Sequence, residues 1–105
     1  MNDEPCANII LLSTSDNVVV ACEQISAGSL IEVKGVTITV QSDVEIGHKI
    51  ARMDINLDDK IFKYGAPIGC ATRTIAQGAH VHTHNIQSDY LQSCYRGQRI
   101  FSKEV

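Results

Sequence analysis

A strand–turn unit occurs three times in this chain, and it restricts the fold more than any other feature. The stretches ACEQISAGSLI, ARMDINLDDKI and ATRTIAQGAHV begin at Ala21, Ala51 and Ala71. In each, an Ile follows the Ala by four residues, a turn former stands three residues later, and an apolar residue follows three residues after that. Gly and Asp, the turn formers here, tolerate the backbone angles that end one strand and begin another. The chain is therefore predicted to fold from repeated strand–turn units, spaced too irregularly for a solenoid.

The remaining segments also favour β-structure. Short runs rich in β-branched residues are separated by turn formers, and they read ANIILL, NVVVAC, LIEV, VTITV, HKIARM and AHVHTH. The stretch EVKGVTITV predicts a hairpin with Lys34-Gly35 as its tight turn. Tyr64-Gly65 is likewise interpreted as a structural turn. No helix is predicted before residue 86, so the fold class is all-β.

One domain is expected, over residues 1–86, because 105 residues are enough for one core and too few for two. Residues 87–105 are expected to form a C-terminal tail. Within it, Leu91, Cys94 and Tyr95 can form the apolar face of a short docking helix. The alternative is that they pack on the sheet of this domain.

Composition excludes several classes of protein. The hydrophobic fraction of 44% and the charged fraction of 20% are ordinary for a globular domain. A net charge of -3 argues against a general electrostatic grip on nucleic acid or on an anionic membrane. The apolar runs are far shorter than a bilayer requires, and the acidic start MNDEP does not resemble a secretory signal. A cytoplasmic protein with no nucleic-acid or membrane partner is expected.

Its four scattered cysteines are expected to be reduced, mostly buried thiols.

Three of the four histidines lie within the stretch GAHVHTHN, at residues 78–85. In an extended strand, side chains two residues apart share a face, so His80, His82 and His84 are predicted to lie in one row. Neutral imidazole binds first-row metals and transfers protons near neutral pH. A solvated polar face would explain one histidine, whereas three on one face favour a functional role. His82 and His84 are interpreted as the functional pair, and His80 either lines the same cleft or occupies the turn after Gly78.

Three motifs together resemble the SAF-type β-clip domain of the altronate and galactarate dehydratase family. They are GHKIA at 47–51, KYGAPIG at 63–69 and GAHVHTHN at 78–85, and the resemblance extends over about residues 9–86. It implies a SAF/β-clip fold, present either as the amino-terminal domain or as a separate small subunit of a sugar-acid hydro-lyase. It also implies a large partner subunit or domain that holds most of the active site, and a divalent metal, iron or manganese.

Dehydration of a sugar acid requires a base, an acid and a group that stabilises the enediolate. With the resemblance, His48, His82 and His84 are the predicted catalytic residues. His82 and His84 are the predicted metal ligands, and His80 is a further candidate ligand.

Substrate contacts are predicted at Lys49, Arg73 and Asn85. Lys49 follows the Gly47 turn and offers a charged ammonium to a carboxylate. Surface charge is the simpler role for Arg73, and capping of the strand end is the simpler role for Asn85.

Two alternatives stay open. The first is the small subunit of a (2R)-sulfolactate sulfo-lyase, from which sulfite leaves in place of water. The second is a non-catalytic SAF ligand-binding or interaction module. A bound transition metal that is lost when His82 and His84 are substituted would favour the enzymes over the module.

Overall fold

The computed structural model describes residues 6–88, and the regular elements in this range are all β-strands. The all-β fold expected from the sequence is confirmed. In chain order the strands are β1 (Ile9–Ile10), β2 (Val18–Ala21), β3 (Leu30–Val33), β4 (Val36–Thr39), β5 (Lys49–Ala51), β6 (Lys60–Lys63), β7 (Ala66–Ala71), β8 (His80–Val81) and β9 (Ile86–Ser88). Within the described range, no helix has the length and apolar character needed to cross a bilayer.

The strands form three small antiparallel sheets. The largest has the order β1-β2-β5-β8, a second has the order β6-β7-β9, and β3 pairs with β4 alone. In the largest sheet, Lys49 of β5 lies opposite Val81 of β8, and Ile50 lies opposite His80. This long-range pairing joins two segments that are about thirty residues apart in the sequence, and it positions the site described below.

The strand–turn repeat is confirmed, and it has four copies instead of three. The fourth copy runs from Val40 to Ile50 and was missed because Val replaces the Ala that begins the others. The turn position of every copy has a positive φ, at Gly28, Gly47, Asp58 and Gly78. An L side chain is strained there, which explains why three of the four residues are glycine.

The four units pair into two halves, which we call the first half (residues 21–50) and the second half (residues 51–81). In the first half, a β-bridge joins Ile25 to Val44, and in the second half a β-bridge joins Ile55 to Ile75. Each half has a buried apolar cluster, and strand β2 adds one residue to each of them, Val19 to the first and Val18 to the second. The first-half cluster contains Val19, Ala21, Ile25, Ile31, Val33, Ile38, Val40, Val44 and Ile50. The second-half cluster contains Val18, Ala51, Ile55, Ile61, Ala71, Ile75 and Val81.

Each half also contains one hairpin. The predicted Lys34-Gly35 turn is confirmed, with φ values of 50 and 83°. Tyr64-Gly65 is the equivalent turn of the second half, with φ values of 63 and 79°. The second hairpin differs by a bulge near Ile61 and Phe62.

Two sequence expectations are wrong in detail. Strand β8 ends at Val81, so the stretch AHVHTH does not continue as one extended strand through His84. Cys6 and Cys22 are free thiols, as expected, but they are exposed. Cys70 is buried, as expected, but it is disulfide-bonded. The predicted docking helix of the tail lies outside the described residues. Strand β9 continues the domain two residues beyond the predicted boundary at 86.

Candidate functional site

Three histidines converge at the end of the β5–β8 pair. His48 Nδ1 and His80 Nε2 are 2.8 Å apart and share a hydrogen bond. The His82 ring stacks on the His48 ring, with centroids 4.0 Å apart and planes within 9°. One nitrogen from each of the three rings lies within 4.8 Å of the others. We call these residues, His48, His80 and His82, the histidine cluster.

The register of the two strands explains this convergence. Lys49 and Val81 are the last paired residues, so His48 and His82 stand opposite one another one residue further on. Side chains alternate along a strand, so His82 and His80 share the face on which His48 lies. His48 is held in place because its carbonyl accepts a 2.9 Å hydrogen bond from the N–H of Ala21.

A tight turn after β8 fixes the remaining part of the site. The side chain of Asn85 is only 4% exposed. Its Oδ1 accepts a hydrogen bond from the N–H of His82, and its Nδ2 donates to the carbonyl of His80, both at 2.9 Å. The N–H of Asn85 donates to the His82 carbonyl at 3.0 Å. Asn85 therefore holds the backbone that carries two of the three clustered rings. Its predicted contact with substrate stays a prediction.

The electrostatics of the site favour neutral rings at His80 and His82. Burial lowers the pKa of His80, and the neighbouring charges of His84 and His48 lower it further. Burial also lowers the pKa of His82, with additional effects from His48 and Lys49. A neutral imidazole has one nitrogen lone pair free to bind a metal or accept a proton. These two rings are therefore suited to act as ligands or bases near neutral pH.

One atom of the cluster has no partner. His82 Nδ1 is buried, and no atom in the described part of the chain forms a hydrogen bond with it. Leaving a buried polar atom unsatisfied costs about 1–3 kcal/mol, so such an atom is normally satisfied by a partner. A bound cation or a donor from a ligand would satisfy this nitrogen. Imidazole suits first-row transition metals, and the three nitrogens that lie within 4.8 Å of one another could hold such an ion.

His84 lies beside the cluster and not within it. Its ring centroid is 5.1 Å from that of His80, at a tilt of 36°, and the residue is exposed in the turn. The sequence favoured His82 and His84 as the metal pair, whereas the structure groups His82 with His48 and His80. The chemical role of each histidine stays a prediction.

The two predicted cationic contacts differ in position. Lys49 is half-buried next to His48, and its pKa is lowered by burial first and by the charge of Lys63 second. No carboxylate within residues 6–88 forms an ion pair with Lys49. Arg73 is exposed and makes no hydrogen bond or ion pair with any described residue. Lys49 therefore follows His48 in the chain and its charge acts on His80 and His82, whereas Arg73 makes no contact with the cluster among the described residues.

Sequence reasoning missed that His48 and His80 meet. The signal was present, because Gly47 and Gly78 occupy the same position in the second and fourth units. Had the unit beginning at Val40 been recognised, both histidines would have been placed just after equivalent turns. Their contact also depends on the pairing of β5 with β8, which no local pattern encodes.

Comparisons with known proteins identify the family of this chain. A family model described as the altronate/galactarate dehydratase SAF domain matches residues 7–89. The chain is 40% identical over 82 residues to an altronate dehydratase of Bacillus subtilis and 41% identical over 80 residues to one of Escherichia coli. These matches cover 78% and 76% of this chain but only 16% of each relative.

A shorter relative is matched over most of its length. The chain is 33% identical over 76 residues to the (2R)-sulfolactate sulfo-lyase subunit alpha of Chromohalobacter salexigens, which covers 67% of this chain and 81% of that subunit. The named relatives are lyases, and one of them is a subunit of a larger enzyme. From the family model and these identities, the chain belongs to the family of altronate/galactarate dehydratase SAF domains.

Proposed function

We propose that this chain is the SAF component of an altronate- or galactarate-type sugar-acid hydro-lyase, either as a small subunit or as one domain. It contributes the histidine cluster to a composite, metal-dependent site completed by a much larger catalytic part. The altronate dehydratase relatives support the reaction class. The observation that carries the proposal is the histidine cluster, in which His82 has a buried Nδ1 with no hydrogen-bond partner in the described part of the chain.

The reaction removes a proton from the carbon next to a carboxylate and expels hydroxide, as water, from the adjacent carbon. His48, His80 and His82 would hold a divalent metal, iron or manganese. When bound, that ion supplies positive charge that stabilises the enediolate. His84 is exposed beside the cluster and is free to carry a proton to or from the reacting carbon or the leaving oxygen.

Lys49 is proposed to orient the substrate. Its half-buried ammonium has no carboxylate partner within residues 6–88, so it is available to the carboxylate of a sugar acid. Burial strengthens this attraction because there is less water to screen it. Asn85 positions the backbone of His80 and His82, and through them the two rings.

The test uses the complex of this chain with its large lyase chain, assayed with altronate and analysed for metal by mass spectrometry. We expect His82→Gln to lose both metal and activity. His84→Gln is expected to keep the metal and lose about 10²–10⁴-fold in kcat, the range for removal of a general acid or base. Lys49→Gln should raise KM more than it lowers kcat. If His82→Gln retains its metal and its activity, the proposed function is wrong.

One observation favours a second candidate, the small subunit of a (2R)-sulfolactate sulfo-lyase. The chain spans 81% of such a subunit, against 16% of an altronate dehydratase. The histidine cluster and Lys49 suit this reaction as well, since a proton leaves next to a carboxylate and sulfite departs in place of water. A panel of altronate, galactarate and sulfolactate, assayed on the same complex, separates the two candidates. If the complex acts on none of them and no metal depends on the cluster, a non-catalytic binding module is the better description.

A further inference from the structure

The turn of the second hairpin presents an aromatic side chain in a strained backbone conformation. Tyr64 is 74% exposed and has a φ of +63°. A bulky residue in the left-handed region costs about 1–2 kcal/mol relative to glycine, and it is uncommon outside functional or constrained turns. An exposed tyrosine at this position is costly for folding alone.

A buried carboxylate holds this turn in place. Asp16 is 1% exposed, and its two oxygens accept hydrogen bonds from the N–H groups of Tyr64 and Gly65, each at 2.7 Å. Arg52 in turn donates to the carbonyls of Thr14 and Asp16 through Nη1, at 3.1 and 2.8 Å. The loop that contains Asp16 therefore forms a rigid support for the turn.

A second side chain from the same loop fixes the strand that leads to the turn. Asn17 Nδ2 donates to the carbonyl of Lys60, and Asn17 Oδ1 accepts from the N–H of Phe62, at 2.9 and 2.8 Å. Strand β6 is thus held near its start and middle, and the turn after it is held by Asp16. The ring of Tyr64 is presented to solvent from a backbone with little freedom.

The equivalent turn of the first half has no such support. Lys34 and Gly35 adopt the same left-handed conformations, yet no side chain within residues 6–88 forms a hydrogen bond with their N–H groups. Hairpin closure alone therefore does not require a buried carboxylate. The Asp16 support therefore distinguishes the second hairpin from the first.

The residue before Tyr64 is a cation. Lys63 immediately precedes Tyr64 and is half-buried. No carboxylate among residues 6–88 pairs with Lys63. A surface that offers an acidic group to Lys63 would therefore reach Tyr64 as well.

We infer that the Tyr64 turn is a docking contact for the catalytic body of the lyase, the part of such an enzyme that lies outside the SAF domain. This inference rests on the proposed function. In the altronate dehydratase relatives the region matched by this chain is 16% of the whole, so a much larger body exists to make the contact. The expected contact surface is an apolar recess for the Tyr64 ring beside an acidic group that faces Lys63. Rigid aromatic anchors of this kind dominate the energetics of interfaces.

The test compares Tyr64→Asn with Lys34→Asn, the matched substitution in the equivalent turn. Asn tolerates the left-handed conformation, so both variants should keep their turns and their Tm. The probe is the large lyase chain of the source organism, recognised by its similarity to altronate dehydratase outside the region that this chain matches. We expect Tyr64→Asn to weaken its binding by about tenfold or more, and Lys34→Asn to change it by less than about twofold.

The outcomes separate the inference from the proposed function. If the wild-type chain binds the large chain and forms an active lyase, but Tyr64→Asn binds equally well, the docking contact is refuted and the proposed function stands. If the wild-type chain does not bind the large chain, the small-subunit form of the proposed function fails and the inference fails with it. A lowered Tm in Tyr64→Asn would be resolved by Tyr64→Gly, which keeps the turn without strain and must also bind about tenfold more weakly.

Discussion

The two halves of the molecule use the same scaffold for different purposes. Both contain two strand–turn units, one hairpin with two left-handed residues, and one buried apolar cluster. The second half additionally has a hairpin supported by Asp16, and it ends in the turn held by Asn85. The repeated scaffold thus gives each half a buried core. The side chains of the second half and of the loops next to it form the supported hairpin and the turn at Asn85.

The candidate site lies where the halves meet. His48 belongs to the end of the first half, and His80 belongs to the end of the second. Their hydrogen bond exists only because β5 pairs with β8, so neither half holds the cluster alone. Equivalent substitutions in the two halves can therefore separate what the scaffold requires from what the site requires.

The largest effects are expected at equivalent core positions. Ile25 and Ile55 are 2% and 1% exposed and make the same bridge within their respective halves. Each Ile→Ala substitution should lower the free energy of unfolding by about 2–5 kcal/mol, because a buried side chain is lost and a cavity remains. Urea denaturation measures both. A loss below about 1 kcal/mol for either variant would contradict the assignment of that half as an independent core.

Substitution of two turn glycines is expected to lower the free energy of unfolding less, but to differ more between the two halves. Gly28 and Gly78 have φ values of +91 and +88°, so an alanine is strained at either. A Cβ at Gly28 meets nothing within 4 Å, whereas one at Gly78 would lie 2.2 Å from the carbonyl oxygen of Thr39. We expect Gly28→Ala to cost about 1–2 kcal/mol and Gly78→Ala about 3 kcal/mol or more, since the latter must also shift the end of β4. Equal losses in urea denaturation would show that Gly78 does not mediate the contact between the halves.

The next largest effect is expected when the Asp16 carboxylate, which supports the second hairpin, is removed. Asp16→Ala leaves the N–H groups of Tyr64 and Gly65 without their buried acceptors. We expect a loss of about 2–3 kcal/mol in the free energy of unfolding, and faster amide exchange confined to residues 60–67. Asp43→Ala is the control, because the Asp43 carboxylate accepts one exposed hydrogen bond from Ala27, worth about 1 kcal/mol. An undisturbed hairpin in Asp16→Ala would refute the role assigned to Asp16.

The smallest expected effect is a dependence of Tm on pH that arises from His80 and His82, at the end of the second half. Because the folded-state pKa values of His80 and His82 are below their ordinary value of 6.5, the unfolded chain binds protons first as the pH falls. The two residues therefore leave stability unchanged above pH 6.5 and reduce it as the pH falls below that value. In the presence of a chelator, the Tm of the wild type should fall between about pH 7 and pH 5.5 more than that of the His80→Gln, His82→Gln double variant. Parallel Tm curves would contradict the lowered pKa values.

Much of the scaffold could be predicted from sequence because its rules are local. The Ala, Ile and turn-former spacing identified three units, and Lys34-Gly35 identified a hairpin. The fourth unit was hidden because Val40 occupies the position of the conspicuous Ala and is equally well buried there. Burial at that position selects for a small or medium apolar side chain and not for Ala itself.

The site could be predicted only in part, because it depends on contacts between distant segments. The residue types were evident from GAHVHTHN and GHK. The sequence predicted a strand that continues through His84, and this prediction was wrong. Asn85 closes a turn there through its hydrogen bonds to the backbone of His80 and His82. Nothing in the local sequence distinguishes Asn85 from another polar residue. Asp16 went unnoticed for the same reason, since nothing in the stretch STSDN indicates a carboxylate that is buried against residues 64–65.

A calorimetric titration of the full chain with Co²⁺ shows whether the histidine cluster is a metal site formed where the two halves meet. We expect one Co²⁺ per chain for the wild type and for His84→Gln, with similar Kd. We expect at least about tenfold weaker binding for His48→Gln, His80→Gln and His82→Gln, each of which removes one of three ligands. If all five proteins bind Co²⁺ equally, or if only His84→Gln loses binding, the cluster is not the metal site.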